Sequence, residues 1–190
     1  MCDSDNSKPR KRNAEATKTD IVEAAKLVFC EKGYDGAGTR EIAERAGVNV
    51  ALIARYFGSK EGLFVEAIPP ELTLNFLLED DMASFGERAA ALFVGKDPKV
   101  GFDPTVALLR AASSPDATKH LRTALHEQVL TPIAEKLEGE NRIERAALIG
   151  AQLAGYDLSA RVIGVKTTTT DDLEPLRKIM AKSLQDIVDG

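Results

Sequence analysis

The chain has 190 residues, of which 44% are apolar, 29% are charged and only 5% are aromatic, with no tryptophan. This composition is ordinary for a globular protein, and a core built mainly from Leu, Ala, Ile and Val suits helices. No run of about 18 apolar residues occurs, which excludes a membrane-spanning helix.

The net charge of −5 is unevenly distributed along the chain. Residues 1–68 carry 11 Lys/Arg and 11 Asp/Glu, so the acidic excess belongs to the remaining residues. Phosphates would repel that acidic part, and we expect any nucleic-acid partner to contact the first third of the chain. The first residues lack the apolar stretch of a secretory signal, which predicts a cytoplasmic protein. Cys2 and Cys30 do not indicate a disulfide framework.

Residues 1–14 are polar, include the basic cluster of residues 8–12, and are predicted to form a flexible arm. Two interpretations remain open. The arm is either a solvated tail or a segment that contacts phosphates or a minor groove.

The first predicted helix begins at Thr17, which forms a near capping box with Asp20. Its apolar residues recur at helical spacing and form one stripe: Ile21, Ala24, Ala25, Val28 and Phe29. Gly33 is the predicted end of this helix, because it tolerates the left-handed conformation.

Two short helices follow, over residues 39–46 and 50–57, and together they predict a helix-turn-helix at about residues 38–57. Such a unit needs a small residue where the helices meet, and Ala43 supplies it. Its sharp turn favours a positive φ, which Gly47 adopts easily. An apolar residue must also hold the second helix to the core, and Ile53 is placed to do so.

A fourth helix is predicted from Ser59, a suitable N-cap, to the Pro69-Pro70 pair. Beyond it, every periodic segment is again helical, with helices predicted near 71–80, 84–95, 104–113, 115–138, 142–164 and 172–188. No alternating pattern with hairpin residues is present. The predicted class is all-α.

The helix-turn-helix lies within a longer pattern that closely resembles the TetR family of bacterial regulators. The resemblance covers about residues 15–70 and rests on Ile-Val-Glu-Ala-Ala-Lys-Leu-Val-Phe (21–29), Glu-Lys-Gly-Tyr-Asp (31–35), Thr-Arg-Glu-Ile-Ala (39–43), Ala-Gly-Val (46–48) and Tyr-Phe-Gly-Ser-Lys-Glu-Gly-Leu-Phe (56–64).

This resemblance implies a three-helix DNA-binding head over residues 15–75 and a larger helical domain for ligand binding and dimerisation over residues 76–190. It also implies a homodimer on a palindromic operator in double-stranded DNA. Entry of a small-molecule effector would then tilt the fourth helix, spread the two heads and release the DNA.

The family motif also indicates which residues contact DNA: Thr39, Arg40, Asn49, Val50, Ala51, Arg55, Tyr56 and Lys60. The Arg40 guanidinium suits guanine O6 and N7, although an ion pair with Glu44 at i+4 is an alternative. Asn49 either contacts DNA or only caps the recognition helix. Lys60 is either a phosphate contact or a free surface lysine.

The sequence departs from the family pattern at several of these positions. Val50 and Ala51 could meet a thymine methyl group but cannot donate hydrogen bonds. Ala54 replaces a common phosphate-binding tyrosine, for which Arg55 and Tyr56 are the obvious substitutes. Gly38 replaces the usual Ser or Thr cap of the second helix.

Two helices of the larger domain look suited to association. In the first, at 142–164, small residues recur that would let another helix approach closely: Ala146, Ala147, Gly150, Ala151, Ala154 and Gly155. The second, at 172–188, carries a wide apolar stripe. We expect the pair to form a two-fold four-helix interface, with purely internal packing as the alternative.

Effector chemistry is harder to infer from the sequence. Asp157 is spaced to pair with Arg161 at i+4. His120 and His126 are six residues apart and face nearly opposite sides of a helix, so no metal site is predicted. Pro132 should kink the long helix. No cofactor is indicated, and the effector's identity stays open.

The predicted function is therefore sequence-specific DNA-binding transcriptional regulation, with repression favoured by family resemblance. The alternative is a helical adaptor that uses the helix-turn-helix face for protein contact. No metal-ligand spacing, phosphate-binding glycine loop or nucleophile elbow is present, so an enzyme is not expected.

Overall fold

The computed structural model describes residues 14–96, 101–166 and 168–190. Within these ranges every regular element is helical, which confirms the all-α class. The predicted basic arm lies outside the described residues, apart from Ala14. No described helix has both the length and the apolar character that crossing a membrane requires.

The α-helices in chain order are α1 (Ala14–Gly36), α2 (Thr39–Arg45), α3 (Ala51–Phe57), α4 (Lys60–Ala67), α5 (Phe85–Phe93), α6 (Pro104–Ala112), α7 (Pro115–Leu125), α8 (Thr131–Lys136), α9 (Arg142–Tyr156) and α10 (Glu174–Asp189). Three short 3₁₀ turns lie between α4 and α5, at Pro69–Leu72, Asn75–Leu77 and Met82–Ser84. Two π-helical segments continue other helices, His126–Leu130 between α7 and α8 and Asp157–Val162 after α9.

Helices α1 to α4, together with α6 and α7, enclose the first of two cores. The predicted apolar stripe of α1 is confirmed, since all five of its residues are buried. The rings of Phe29, Tyr34 and Phe64 pack at the centre, with centroids 5.0–6.1 Å apart. This aromatic cluster fixes α4 against α1 and so determines where the shorter helices α2 and α3 lie.

The two ends of α1 differ in their agreement with the prediction. The helix begins at Ala14, so Thr17 is not its cap but a buried residue one turn inside it. Gly33 adopts φ +70° and interrupts the regular geometry, yet the chain remains helical to Gly36. The first regular stretch of α1 therefore ends at this glycine, as predicted, and a short helical stretch continues beyond the kink.

The helix predicted over 71–80 is wrong, because this segment forms only short 3₁₀ turns joined by irregular backbone and bends. Leu77 and Leu78 are buried in the second core, while the half-buried Leu74 packs against that core and Leu72 packs against both cores. These leucines are therefore packed along an irregular path and not along one helical stripe.

The second core joins α5, α8, α9 and α10. Helices α5 and α10 approach so closely at Gly86 that a Cβ there would lie 2.2 Å from the carbonyl oxygen of Ala181. Only glycine permits this contact. The amide of Gly86 also donates to the side chain of Gln185 (3.0 Å).

The long helix predicted over 115–138 is distorted, as Pro132 implied. The π-helical segment His126–Leu130 precedes the proline, whose nitrogen cannot donate a helical hydrogen bond. Thr131 Oγ1 donates to the carbonyl of His126 (2.9 Å) and satisfies one acceptor there.

Helix α6 connects the two parts of the molecule. Ala107 and Ala111 belong to the first core, together with α1. At the C-terminal end of α6, Arg110 donates to the carbonyl of Glu31. Just beyond it, Ser114 Oγ donates to the carboxylate of Asp35 (2.9 Å). Helix α1 is therefore fastened directly to α6.

Candidate DNA interface and ligand cavity

The turn between α2 and α3 has the geometry that the helix-turn-helix prediction requires. Gly47 has φ +64°, and the amide of Val48 donates back to the carbonyl of Ala43 (2.9 Å). Ala43 and Ile53 are each 2% exposed, so they fasten the two helices to the core. The opposite face of α3 is therefore left in solvent.

That outward face consists of exposed side chains from the start and the middle of α3: Asn49, Val50, Ala51, Ala54 and Arg55. Asn49 Oδ1 accepts a hydrogen bond from the amide of Ala51 (2.9 Å), so its role as a cap is confirmed. Its contact with DNA stays a prediction. Val50 is 40% exposed and presents only methyl groups.

Arg40 lies exposed in the first turn of α2, beside the half-buried Thr39. The predicted Gly38 cap supplies no side-chain hydrogen bond. The alternative ion pair between Arg40 and Glu44 is wrong, because no carboxylate of the described residues pairs with Arg40. Other cations of the head do pair: Arg45 with Glu31 (2.7 Å) and Lys32 with Glu41 (2.8 Å).

Tyr56 lies half-buried between two cations. The guanidinium carbon of Arg55 is 5.9 Å from the ring centroid, and the ammonium of Lys18 is 5.8 Å from it. Lys18 was not among the predicted residues, and α1 brings it to the side of α3. Little in the sequence indicated this contact, because a lysine on the surface of a helix is usually only a solvated side chain.

Lys60 is not a free surface lysine, and that alternative is wrong. Its ammonium lies 4.5 Å from the centroid of the Tyr34 ring. The Tyr34 hydroxyl in turn donates to Glu61 (3.0 Å), and burial together with this carboxylate raises the pKa of Tyr34. Ser59 caps α4 as predicted, since its Oγ accepts from the amide of Gly62 (3.1 Å).

A cavity of about 460 Å³ lies in the larger domain, enclosed by the turns after α4 and by α5, α6, α7 and α9. Its walls are mainly apolar side chains: Leu72, Leu74, Phe76, Phe93, Leu108, Leu125, Val129, Leu130 and Leu153. Its volume falls within the range of small-molecule sites, and such sites combine apolar walls with a few polar groups.

A buried ion cluster borders this cavity, and Asp157 and Arg161 of the cluster line it. The predicted pair is confirmed: Arg161 Nε donates to Asp157 Oδ1 (2.8 Å) and Nη2 donates to Oδ2 (2.5 Å). The guanidinium also binds both carboxylate oxygens of Asp103, which the sequence analysis missed. Burial alone would raise the pKa of both carboxyls, but the hydrogen bonds from Arg161 outweigh it, and both pKa values lie below their ordinary value.

Asp103 also ties the cluster to α6. Its Oδ1 accepts from the amides of Thr105 (3.0 Å) and Val106 (3.1 Å), which makes it the N-cap of that helix. Thr105 Oγ1 donates to Asp157 Oδ2 (2.5 Å) and lines the cavity. One cluster therefore joins the cavity, the end of α9 and the start of α6.

The small residues of α9 were predicted to let a partner helix approach closely, and that role stays a prediction. Four of them line the cavity and leave space there: Ala147, Gly150, Ala151 and Ala154. The large apolar side chains of α9 and α10 that are most exposed are Leu148 (57% exposed) and Ile179 (68%), with Ile143 at 39%. Gln152 Oε1 accepts a hydrogen bond from Ser183 Oγ (3.2 Å), which connects α9 to α10.

Comparison with known proteins supports the same assignment at both ends of the chain. Residues 21–67 match the family described as "Bacterial regulatory proteins, tetR family", and residues 83–188 match "Tetracyclin repressor-like, C-terminal domain". The second match alone covers more than half of the chain.

Similar proteins are named as regulators. The transcriptional dual regulator CecR of Shigella flexneri is 33% identical over an alignment 145 positions long, which covers 65% of this chain and 62% of CecR. The transcriptional repressor NicS of Pseudomonas putida is 33% identical over 101 residues, 53% of this chain and 43% of NicS. The chain thus spans less than two thirds of the length of these relatives.

A solved structure of a TetR-family regulator from Streptomyces coelicolor has the same fold. It matches with a TM-score of 0.59 and 24% identity, over 96% of this chain and 100% of that chain. On the two family matches, the chain belongs to the TetR family of transcriptional regulators.

Proposed function

We propose that the chain is a sequence-specific DNA-binding regulator that represses transcription as a homodimer on a palindromic operator. A small molecule bound in the cavity of the larger domain releases it from DNA. The observation that carries the DNA-binding part is the outward face of α2 and α3, where Arg40 and Arg55 have no carboxylate partner among the described residues.

Unpaired cations on an exposed helix face are suited to DNA. Phosphate contacts hold a protein on the duplex, and an arginine that reaches a base edge supplies specificity. The methyl groups of Val50 and Ala51 leave hydrogen-bonded base recognition to the neighbouring polar side chains, chiefly Arg40. The DNA phosphates are bound by Arg55, Tyr56 and Lys60.

Dimerisation is supported by Leu148 of α9 and Ile179 of α10. Side chains of this size lose contact with water favourably, and both are more than half exposed in one chain. A second copy related by two-fold symmetry would cover them with the same helices. The two recognition helices would then face successive major grooves, about 34 Å apart.

Control by a small molecule is supported by the route from the cavity to the head. Thr105 at the start of α6 lines the cavity, and Arg110 at the end of α6 binds the carbonyl of Glu31 in α1. A ligand that shifts α6 would therefore shift α1 and the recognition helix with it. Such a ligand lowers DNA affinity only if it binds the shifted arrangement of α6 and α1 more tightly than the DNA-binding arrangement.

Selection of bound genomic fragments by the purified protein tests this function. We expect enrichment of a palindromic site whose binding weakens steeply as salt increases, with a slope of about −0.9 per phosphate contact. Fragments without a shared motif, or binding that does not depend on salt, would contradict the proposal and favour the adaptor alternative.

A further inference from the structure

Tyr34 lies where α1 packs against α4, and it holds two neighbouring charged residues of α4. Its ring contacts the ammonium of Lys60, 4.5 Å from the ring centroid, and its hydroxyl donates a hydrogen bond to Glu61 Oε1 (3.0 Å). Tyr34 is only 4% exposed, whereas Lys60 is half-buried and Glu61 is exposed. One buried side chain therefore fixes a cation and a carboxylate that are adjacent in the sequence.

The ring of Tyr34 is a rigid support, because other aromatic rings of the head hold it. It stacks on Phe29 at an interplanar angle of 12° and meets Phe64 edge to face, with centroids 6.1 Å and 5.0 Å apart. The kink at Gly33 immediately precedes Tyr34 and turns the backbone that carries the ring. A cation that packs on this ring is therefore held in place by the core of the head.

The partner of Lys60 differs in kind from the partners of other cations in the head. Arg45 and Lys32 are paired with carboxylates, which compensate their charge. No carboxylate in the described part of the chain forms an ion pair with Lys60. An aromatic ring attracts and orients an ammonium group through its quadrupole, but it leaves the positive charge uncompensated. Lys60 is therefore ordered and still able to bind a phosphate.

Glu61 is an unfavourable neighbour for a phosphate contact, because its carboxylate repels the DNA backbone. It is ionised at neutral pH, since hydrogen bonds with Ser59, with its own amide and with Tyr34 lower its pKa, and the charge of His120 on α7 adds to this effect. Adjacent residues of a helix do not face each other, so Lys60 is not placed to neutralise it. The hydroxyl of Tyr34 instead holds this carboxylate at the side of α1.

We infer that Tyr34 is a positioning residue for DNA binding: its ring holds the ammonium of Lys60 ready for a phosphate, and its hydroxyl keeps the carboxylate of Glu61 away from that phosphate. Tyr34 acts in this way without touching DNA. The inference rests on the proposed function, because it assumes that Lys60 binds a phosphate. It adds a residue outside the helix-turn-helix to those that determine operator affinity.

The role of the hydroxyl is tested with Tyr34→Phe, which keeps the ring and releases Glu61. Operator affinity, measured by fluorescence anisotropy at low salt, should fall by about threefold for each head, or about tenfold for a dimer that binds with both heads. Glu61→Gln is the matched background, because it removes the charge and keeps an acceptor for the tyrosine. In that background Tyr34→Phe should change the affinity by less than about twofold. An equal loss in both backgrounds would show that repulsion by Glu61 is not the cause, and would overturn the role of the hydroxyl.

The role of the ring is tested by a double-mutant cycle between Tyr34→Leu and Lys60→Ala. In the unchanged protein and in Tyr34→Phe, Lys60→Ala should reduce operator affinity by the same factor. In Tyr34→Leu that factor should be at least about threefold smaller, because Lys60 has lost its support.

Arg55→Ala is the control for this cycle. Arg55 lies against the ring of Tyr56 and not against Tyr34, so its effect should be the same in all three proteins. Effects of Arg55→Ala and Lys60→Ala that shrink together in Tyr34→Leu would indicate general damage to the head and overturn the role of the ring.

Nuclear magnetic resonance spectra without DNA provide an independent readout. The ring current of Tyr34 should shift the ε-methylene protons of Lys60 upfield in the unchanged protein and in Tyr34→Phe, and this shift should disappear in Tyr34→Leu. The pKa of the Glu61 carboxyl should rise in Tyr34→Phe, because a hydrogen bond that lowers it is lost. Lys60 protons at ordinary chemical shifts in the unchanged protein would overturn the contact. This measurement and the effect of Tyr34→Phe stay available if Tyr34→Leu fails to fold.

The inference and the proposed function fail separately. If Lys60→Ala lowers operator affinity but Tyr34→Phe does not, the role of the hydroxyl is overturned and DNA binding by this face stands. If Lys60→Ala leaves the affinity unchanged, the assignment of Lys60 to a phosphate and the inference are both overturned. If the protein binds no operator at all, the proposed function is contradicted, although the resonance shifts still report whether Tyr34 holds Lys60 and Glu61.

Discussion

Replacement of Arg161 by leucine should destabilise the protein strongly at neutral pH. The substitution removes the four hydrogen bonds that the guanidinium donates to Asp103 and Asp157. It leaves two carboxylates buried, with side chains 8% and 4% exposed, without their counter-ion. Removing one partner of a buried ion pair costs about 3–5 kcal/mol of unfolding free energy, and two abandoned carboxylates place this variant at the upper end.

The loss should depend on pH in a defined direction. In the unchanged protein the folded-state pKa of both carboxyls is lowered, so their stabilisation is present at neutral pH and is lost as pH falls through that pKa. Without Arg161, burial raises the pKa of the same groups, and protonation relieves the penalty. The difference in unfolding free energy should therefore be largest near neutral pH and shrink towards about pH 4.

Urea unfolding followed by circular dichroism measures this difference, since the chain lacks tryptophan. Protein concentration is held constant, because dimerisation contributes to stability. Arg142→Leu, at an exposed arginine that begins α9, is the matched control and should change stability by less than about 0.5 kcal/mol.

A second variant separates charge from packing. Combining Arg161→Leu with Asp103→Asn and Asp157→Asn removes the unpaired charges and keeps a cap on α6, so most of the loss should be recovered. If Arg161→Leu lowered the unfolding free energy by less than about 1 kcal/mol, or by the same amount at all pH values, the electrostatic account of this cluster would be refuted.

Three further outcomes are expected from the DNA-binding and dimer proposals. Arg55→Ala and Lys60→Ala should each weaken all DNA sequences alike and reduce the salt slope by about 0.9 in binding titrations. Arg40→Ala should instead relax preference at one base pair per half-site, at a cost of about 1–3 kcal/mol in competition binding against singly mutated operators. Leu148→Glu or Ile179→Glu should convert the dimer to a monomer in light scattering, and a dimer that tolerates both would exclude α9 and α10 as the interface.

Local patterns in the sequence were sufficient to predict much of the structure of the DNA-binding head. The stripe of α1, the turn at Gly47 and the cap at Asn49 all depend on residues within a few positions of each other. The pair of Asp157 and Arg161 was likewise predictable from its i+4 spacing.

Contacts distant in the chain account for what could not be predicted. Asp103 reaches Arg161 across 58 residues, and only its place before Pro104 marks it locally, as a cap of α6. The segment 71–80 has enough leucines for a helix, but packing against the two cores overrides local propensity.

The small residues of α9 show a different limit of prediction from sequence. Glycine and alanine allow another helix to approach closely, but they equally leave an empty space beside a helix. Gly150 and Ala147 do the latter, since both line the cavity. The sequence pattern is the same in the two cases, so only the fold distinguishes them.

The most direct test of DNA binding by the face of α2 and α3 is fluorescence anisotropy of a labelled operator, titrated at several salt concentrations. The variant that combines Arg40→Ala, Arg55→Ala and Lys60→Ala should remain folded and dimeric but lose affinity, with a salt slope that flattens by about 0.9 for each lost phosphate contact. Unchanged affinity and slope in that variant would contradict the assignment of this face to DNA.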